Sequence, residues 1–191
     1  MKRVAIFASG AGSNAAKIIE YFSTSSIVQI ALIVSNKPNA GVLNIANKYA
    51  IPSLLIDKEQ FFRGDAYVEQ LKKSEINFIV LAGFLWKVPE KLIQSFPNAI
   101  VNIHPALLPN YGGKGMYGSL VHEAVIANKE KESGITIHYV NEHFDEGEHI
   151  FKATCTVDEH ETPESLANKI HELEYAHFAR VIEEVIVKEI C

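Results

Sequence analysis

Cysteine is nearly absent. The 191 residues hold two, Cys155 and Cys191, too few for a disulfide framework and without the spacing of a metal site, so a reducing, cytoplasmic setting is the expectation. Long apolar runs are missing too. The longest, 78–86, has nine members including one glycine, against the ~18–20 that a membrane-spanning helix needs. No membrane partner is expected. The opening segment 1–8 has a basic start but only five apolar residues before Ser9, which fits a first strand rather than a signal peptide. Basic charge is in deficit, with 18 Lys and Arg against 23 Asp and Glu for a net −5. A chain without a basic face cannot neutralise phosphates along a strand, which argues against nucleic acid as a partner. An anionic small molecule would have to be held by local groups. Histidine is missing from the first 103 residues, all eight falling at or after position 104, so proximity among some of them carries little weight alone.

What is present suits one globular domain over residues 1–191, with 48% apolar and 21% charged residues. Short β-branched runs at 4–8, 28–34, 53–56, 78–81 and 100–103 are almost continuously apolar, as buried parallel strands are. Helical patterns at 14–22, 42–49, 66–73 and 89–95 lie between them, the last opening on Pro89. The alternation predicts an α/β fold with a mostly parallel sheet and right-handed crossovers. After position 103 the pattern changes. A loop with four glycines spans 110–118, a helix follows at 119–128, and 135–140 and 151–157 alternate apolar and polar as antiparallel strands do. Thr162 then caps a long helix, with Glu164 or Ser165 in its first turn.

Directly after the first strand, Ser9-Gly10-Ala11-Gly12-Ser13-Asn14-Ala15 runs into a helix. Such a turn exposes backbone N–H groups at a helix start, a site for an anion. A plain capped turn without a ligand satisfies the same pattern. So does a dinucleotide fingerprint, Gly10-x-Gly12-x-x-Ala15, which would make the chain an NADP-type Rossmann domain. An NAD reading lacks its acidic residue, because the second strand ends on Ser35-Asn36-Lys37-Pro38.

Asn102-Ile103-His104-Pro105 closes the fifth strand, at the sheet end where open α/β folds bind ligands. Alternation puts Asn102 and His104 on one side. Asp145, in the turn Phe144-Asp145-Glu146-Gly147, could orient an imidazole and favour its charged form. An amide and a ring N–H facing one centre suit the oxyanion of acyl or formyl transfer to an amine. No serine or cysteine stands in a nucleophile setting, so direct attack by the substrate is expected. His122-Glu123 is followed by Ala, Val and Ile where a zinc helix would need a second histidine. No metal is expected.

The motifs Ser9-Gly10-x-Gly12-Ser13-Asn14, Leu81-Ala82-Gly83-Phe84, Asn102-Ile103-His104-Pro105-x-Leu107-Leu108-Pro109, Gly134-x-Thr136-x-His138-x-Val140 and Asp145-x-Gly147 occur in this order across the chain. The set resembles the phosphoribosylglycinamide formyltransferase family, folate-dependent enzymes of purine synthesis. The longer tRNA-formylating and formyltetrahydrofolate-hydrolysing relatives carry an extra domain that 191 residues do not hold; another folate-dependent formyltransferase or hydrolase is the alternative within the superfamily.

The resemblance implies a Rossmann-like formyltransferase fold that works as a monomer or homodimer on two small molecules. It implies transfer of a formyl group from 10-formyltetrahydrofolate to the amine of 5-phosphoribosyl-glycinamide. Backbone groups of Gly12, Ser13 and Asn14 would hold the phosphate, with His171 and Glu174 near the amine and ribose. His104 would be the general acid and Asn102 the oxyanion donor, also bordering the folate, with Asp145 keeping His104 protonated. Leu85, Trp86, Lys87 and Val88, with Val140 and the turn up to Asp145, would line the folate pocket. Trp86 stands where relatives commonly have a basic residue. The arginine that relatives carry after the third strand corresponds to Arg63, with Lys58 as the rival position.

Overall fold

Strands buried on both faces set the frame. The computed structural model describes residues 1–63 and 65–190; Cys191, whose role the sequence leaves open, lies outside the described residues. β1 (Lys2–Phe7), β2 (Val28–Ser35), β3 (Ser53–Leu55), β4 (Phe78–Leu81) and β5 (Ile100–His104) pair in parallel. β6 (Glu132–Tyr139) and β7 (His149–Thr156) continue the sheet antiparallel, in the order β3-β2-β1-β4-β5-β6-β7. All four residues of β4 are buried, which is why its sequence shows no alternation.

Helices α1 (Ser13–Phe22), α2 (Gly41–Lys48), α3 (Lys58–Arg63), α4 (Ala66–Lys73), α5 (Glu90–Ser95), α6 (Ser119–Ala127) and α7 (Pro163–Ile190) cover the sheet. α7 packs on α1, α6, β6 and β7, while α3, α4 and α5 touch in sequence. No described helix is long and apolar enough to cross a membrane.

Several boundaries differ from the sequence reading for local reasons. α3 carries no readable period in six residues; its first turn is held by Asp57 Oδ1, which accepts from the N–H groups of Glu59 (2.9 Å) and Gln60 (3.1 Å). Pro89 stands at the N-cap of α5 in an extended conformation rather than inside the helix. β6 and β7 begin earlier than alternation indicated, at Glu132 and His149, because backbone pairing continues past the last apolar residue. The cap of α7 is the expected one. Ser165 N–H donates to Thr162 Oγ1 (3.1 Å) and Thr162 N–H to Ser165 Oγ (3.0 Å), so serine completes the box.

The strand order reverses between β1 and β4, and the crevice beyond their C-terminal ends is the ligand position of such folds. Two turns meet there. Ser9 N–H donates to the Gly83 carbonyl (3.0 Å), and Leu85 N–H donates to Ser9 Oγ (2.9 Å).

Candidate active site

A cavity of about 780 Å³ opens at this crevice, and the sequence motifs supply its walls. One end is the turn into α1. Gly12 takes a left-handed conformation (φ 82°) as N-cap, no side chain caps the helix, and its first turn holds no acidic residue. The first N–H groups of α1 are therefore open to an anion. Glycine is needed at position 12 for packing as well, since a Cβ there would meet the Val42 backbone at 2.8 Å. Asn14 Nδ2 donates to Glu174 Oε2 at 2.8 Å, tying α1 to α7 across 160 positions. Burial, the largest influence, raises the Glu174 carboxyl above the ordinary range, against the Asn14 hydrogen bond and the nearby His171. His171 lies one helical turn before Glu174 and stacks on Tyr175, at the exposed rim.

The centre is built on β5 and β6. Asn102 and His138 are directly opposed in the antiparallel register, so their side chains meet on one face: Asn102 Nδ2 lies 3.1 Å from His138 Nε2. His138 Nδ1 faces the Tyr139 carbonyl at 2.8 Å, and a carbonyl only accepts, so the proton belongs on Nδ1 and Nε2 accepts from Asn102. The same reasoning fixes His104. Its Nε2 donates to the Tyr111 carbonyl (2.7 Å), leaving Nδ1 toward Asp145 Oδ2 at 3.6 Å. Asp145 also receives Gly113 N–H at 2.9 Å and the second Asn102 hydrogen at a long 3.4 Å, with His138 Nε2 3.6 Å away. Asp145 itself has φ 57°, and the Tyr139 N–H to Glu148 carbonyl bond (2.9 Å) closes the loop that holds it in that left-handed turn.

His104 is 3% exposed, and burial pushes its pKa below the ordinary histidine value. The Asp145 charge and the Tyr111 carbonyl pull the other way without overcoming it. Desolvation thus outweighs the carboxylate in the ligand-free protein, while Asp145 still acts in the expected direction, toward the protonated ring. Burial works upward on the Asp145 carboxyl, but the His138 and His104 rings and the Gly113 N–H hold it below its usual value.

His138 is the member that sequence reasoning left without a role. Strand alternation from Thr136 carried the signal, but only the β5–β6 register shows what it faces. Thr136 has its own task beneath the site: its Oγ1 accepts from Leu108 N–H (3.0 Å) and donates to the Ala106 carbonyl (2.8 Å), pinning the chain that leaves His104.

Beyond Asn102 and Asp145 a second, narrower cavity branches off, walled by Leu81, Phe84, Trp86, Val88, Val140 and Phe144. Lys87 lies at its edge, 5.8 Å over the Phe144 ring, while Leu85 lines the main cavity instead. Trp86 packs on Phe61, Phe62 and Phe84 at 5.7–6.3 Å between ring centres, a wall of rings where a basic residue was the alternative. Arg63 does not join the cavity lining. Its guanidinium pairs with Glu59 on α3 at 2.5 Å, on an exposed face, and Lys58 is exposed at the start of that helix.

Comparison with known proteins places the chain in a family. The chloroplastic phosphoribosylglycinamide formyltransferase of Arabidopsis thaliana is 40% identical over 187 residues, which are 95% of this chain and 64% of the plant protein. The chain thus spans under two thirds of that relative's length. The phosphoribosylglycinamide formyltransferase of Bacillus subtilis (strain 168) is 35% identical over 191 residues, covering 97% of this chain and 95% of the relative. The crystal structure of phosphoribosylglycinamide formyltransferase from Bacillus halodurans superposes with a TM-score of 0.88 at 34% identity, over 98% of this chain and 97% of that one. The formyl transferase family pattern runs through residues 2–182, taking in the turn at Gly12, the strand end at His104 and the loop at Asp145, and the chain belongs to that family.

Proposed function

We propose that this protein transfers the formyl group of 10-formyltetrahydrofolate to the amine of 5-phosphoribosyl-glycinamide, giving formylglycinamide ribonucleotide and tetrahydrofolate. Residues 1–191 act as one formyltransferase domain on these two small molecules, in the cytoplasm, as a monomer or homodimer. The observation that carries the reading is the meeting of two unlike cavities at Asn102 and Asp145, with His104 beside them in the main cavity, 3.6 Å from Asp145. One ends in an anion site, and the other has apolar and aromatic walls suited to a flat heterocycle. With the family established, a dinucleotide-binding role for the glycine turn is not favoured.

The phosphate docks on the N–H groups of Gly12, Ser13 and Asn14, and the ribose lies toward Glu174 and His171. The pterin enters between Trp86, Val88 and Val140, with Leu85 and Lys87 beside it and Asn102 at its inner edge. Attack by the neutral amine forms a C–N bond at the formyl carbon and puts negative charge on its oxygen. The Asn102 hydrogen held by only a 3.4 Å contact in the free protein turns to that oxygen. His104 acts through Nδ1, because Nε2 is committed to the Tyr111 carbonyl. In its protonated form Nδ1–H stabilises the oxyanion, and Asp145 favours that form as negative charge builds nearby. The intermediate collapses by breaking the bond to N10 of the folate, which takes the proton lost by the amine.

Purified protein incubated with both substrates should give a ribonucleotide heavier by one CO, with folate absorbance changing in step. Omission of either substrate should abolish both signals. Binding of both substrates without transfer would overturn the reading.

A further inference from the structure

One buried polar side chain in the main cavity has no structural task. His122, on α6, is 5% exposed and lines the cavity together with Asn14, His104, His171 and Glu174. Its Nδ1 is sealed from water and meets no hydrogen-bond partner, and no hydrogen bond joins the ring to any other described residue. A buried ring nitrogen without a partner opposes folding, and a phenylalanine would fill the same space without that penalty. A metal does not account for it, since no group of three His, Cys, Asp or Glu among the described residues is placed to hold one.

Position supplies the reason that folding does not. The titratable groups near enough to act on His122 are His171 on α7 and His104 on β5, and all three rings line the same cavity. A sugar phosphate whose anion sits at the α1 turn and whose reactive end reaches His104 must lay its sugar across this stretch. Burial holds His122 below the usual histidine range, and the two neighbouring rings push the same way. Nε2 is not sealed as Nδ1 is, and one ring nitrogen of a neutral imidazole can give or take a single hydrogen bond with a hydroxyl. Glu174, likewise buried and bonded to Asn14, is a second group on this side that can hydrogen-bond a hydroxyl.

We infer that His122 hydrogen-bonds a ribose hydroxyl of the sugar-phosphate substrate. The inference rests on the sugar-phosphate half of the functional reading and is independent of formyl transfer.

The test uses ribose 5-phosphate and inorganic phosphate as separate probes, titrated against protein with ¹⁵N-labelled histidine rings. Ribose 5-phosphate should move the His122 ring signals, and inorganic phosphate should not. His122→Phe should bind ribose 5-phosphate about tenfold more weakly, as for one hydrogen bond to a buried group, with phosphate binding unchanged and a melting temperature no lower than the parent's. His122→Gln should recover part of the loss. Equal weakening toward both probes would assign the ring to the phosphate and overturn the hydroxyl contact. Unchanged ribose 5-phosphate binding in His122→Phe, a glutamine variant that binds no better than the phenylalanine one, or a silent His122 ring in the parent, would make it a packing residue. If His122→Phe does not fold, the parent ring signals and the glutamine variant decide. A chain that shows the His122 shifts but transfers no formyl group would retain this inference and lose the proposed reaction.

Discussion

His104 is held between two forces, and the balance sets its response to pH. Burial lowers its pKa and Asp145 opposes that, so removing the carboxylate lets burial act almost alone. Asp145→Asn should lower the His104 titration further, by NMR of the ring, and reduce turnover by roughly 10²–10⁴, the usual worth of positioned acid–base help. Activity that needs protonated His104 should also fail at lower pH in the variant. Unchanged titration with near-normal turnover would make Asp145 a turn residue only. Stability follows the same groups with the sign worked through. His104 and His122 both have depressed native values, so the unfolded chain binds more protons at mildly acidic pH. Their contribution is present above about 6.5 and is lost as pH falls through the native values. The melting temperature should therefore drop on acidification, and less steeply in His122→Phe. Gly12 shows how one motif can hide a second cause. The sequence points to phosphate approach, but the φ of 82° and the 2.8 Å approach to Val42 are packing constraints. Gly12→Ala should cost roughly 1–3 kcal/mol in denaturant unfolding, whereas Ser13→Ala should leave stability unchanged. A stable Gly12→Ala protein would contradict the packing account.

Elements were legible in the sequence where a period had room to show itself. β4 and the long α7 could be placed from apolar runs and the Thr162 cap, while α3 could not, because six residues span fewer than two turns. Asn102 and His104 could be read as neighbours from strand alternation, but the partnership with His138 depends on antiparallel register, which a single strand does not encode. The glycine loop between β5 and α6 falls between these cases. Its composition predicts high ordering entropy, yet it is fastened at its start: His104 holds the Tyr111 carbonyl, and Asp145 holds the Gly113 N–H. Amide exchange should accordingly be slow at Gly113 and fast at Lys114 and Gly115 in the free protein, with the fast sites slowing when folate and ribonucleotide are bound. Asp145→Asn should release Gly113 into the fast class. Uniform protection from 112 to 118 without ligand would rule out a closing loop.

At the scale of the whole molecule, the single tryptophan is a built-in reporter. Trp86 lines the side cavity and not the main one, where the sugar phosphate is proposed to bind. A folate analogue should change its emission, ribose 5-phosphate alone should not, and Trp86→Leu should abolish the signal while weakening folate binding. The two cavities also differ in how much of the chain they require. The side cavity is walled by residues between Leu81 and Asp145, whereas the corner proposed for the ribonucleotide joins Asn14 to Glu174 across 160 positions. During synthesis the turn at Gly12 therefore emerges well before its partner on α7 and stays incomplete until residue 174 has left the ribosome and α7 has docked on α1. On the proposed function, a nascent chain cannot sequester the metabolite, and a chain broken anywhere before that point releases fragments without a finished acceptor site.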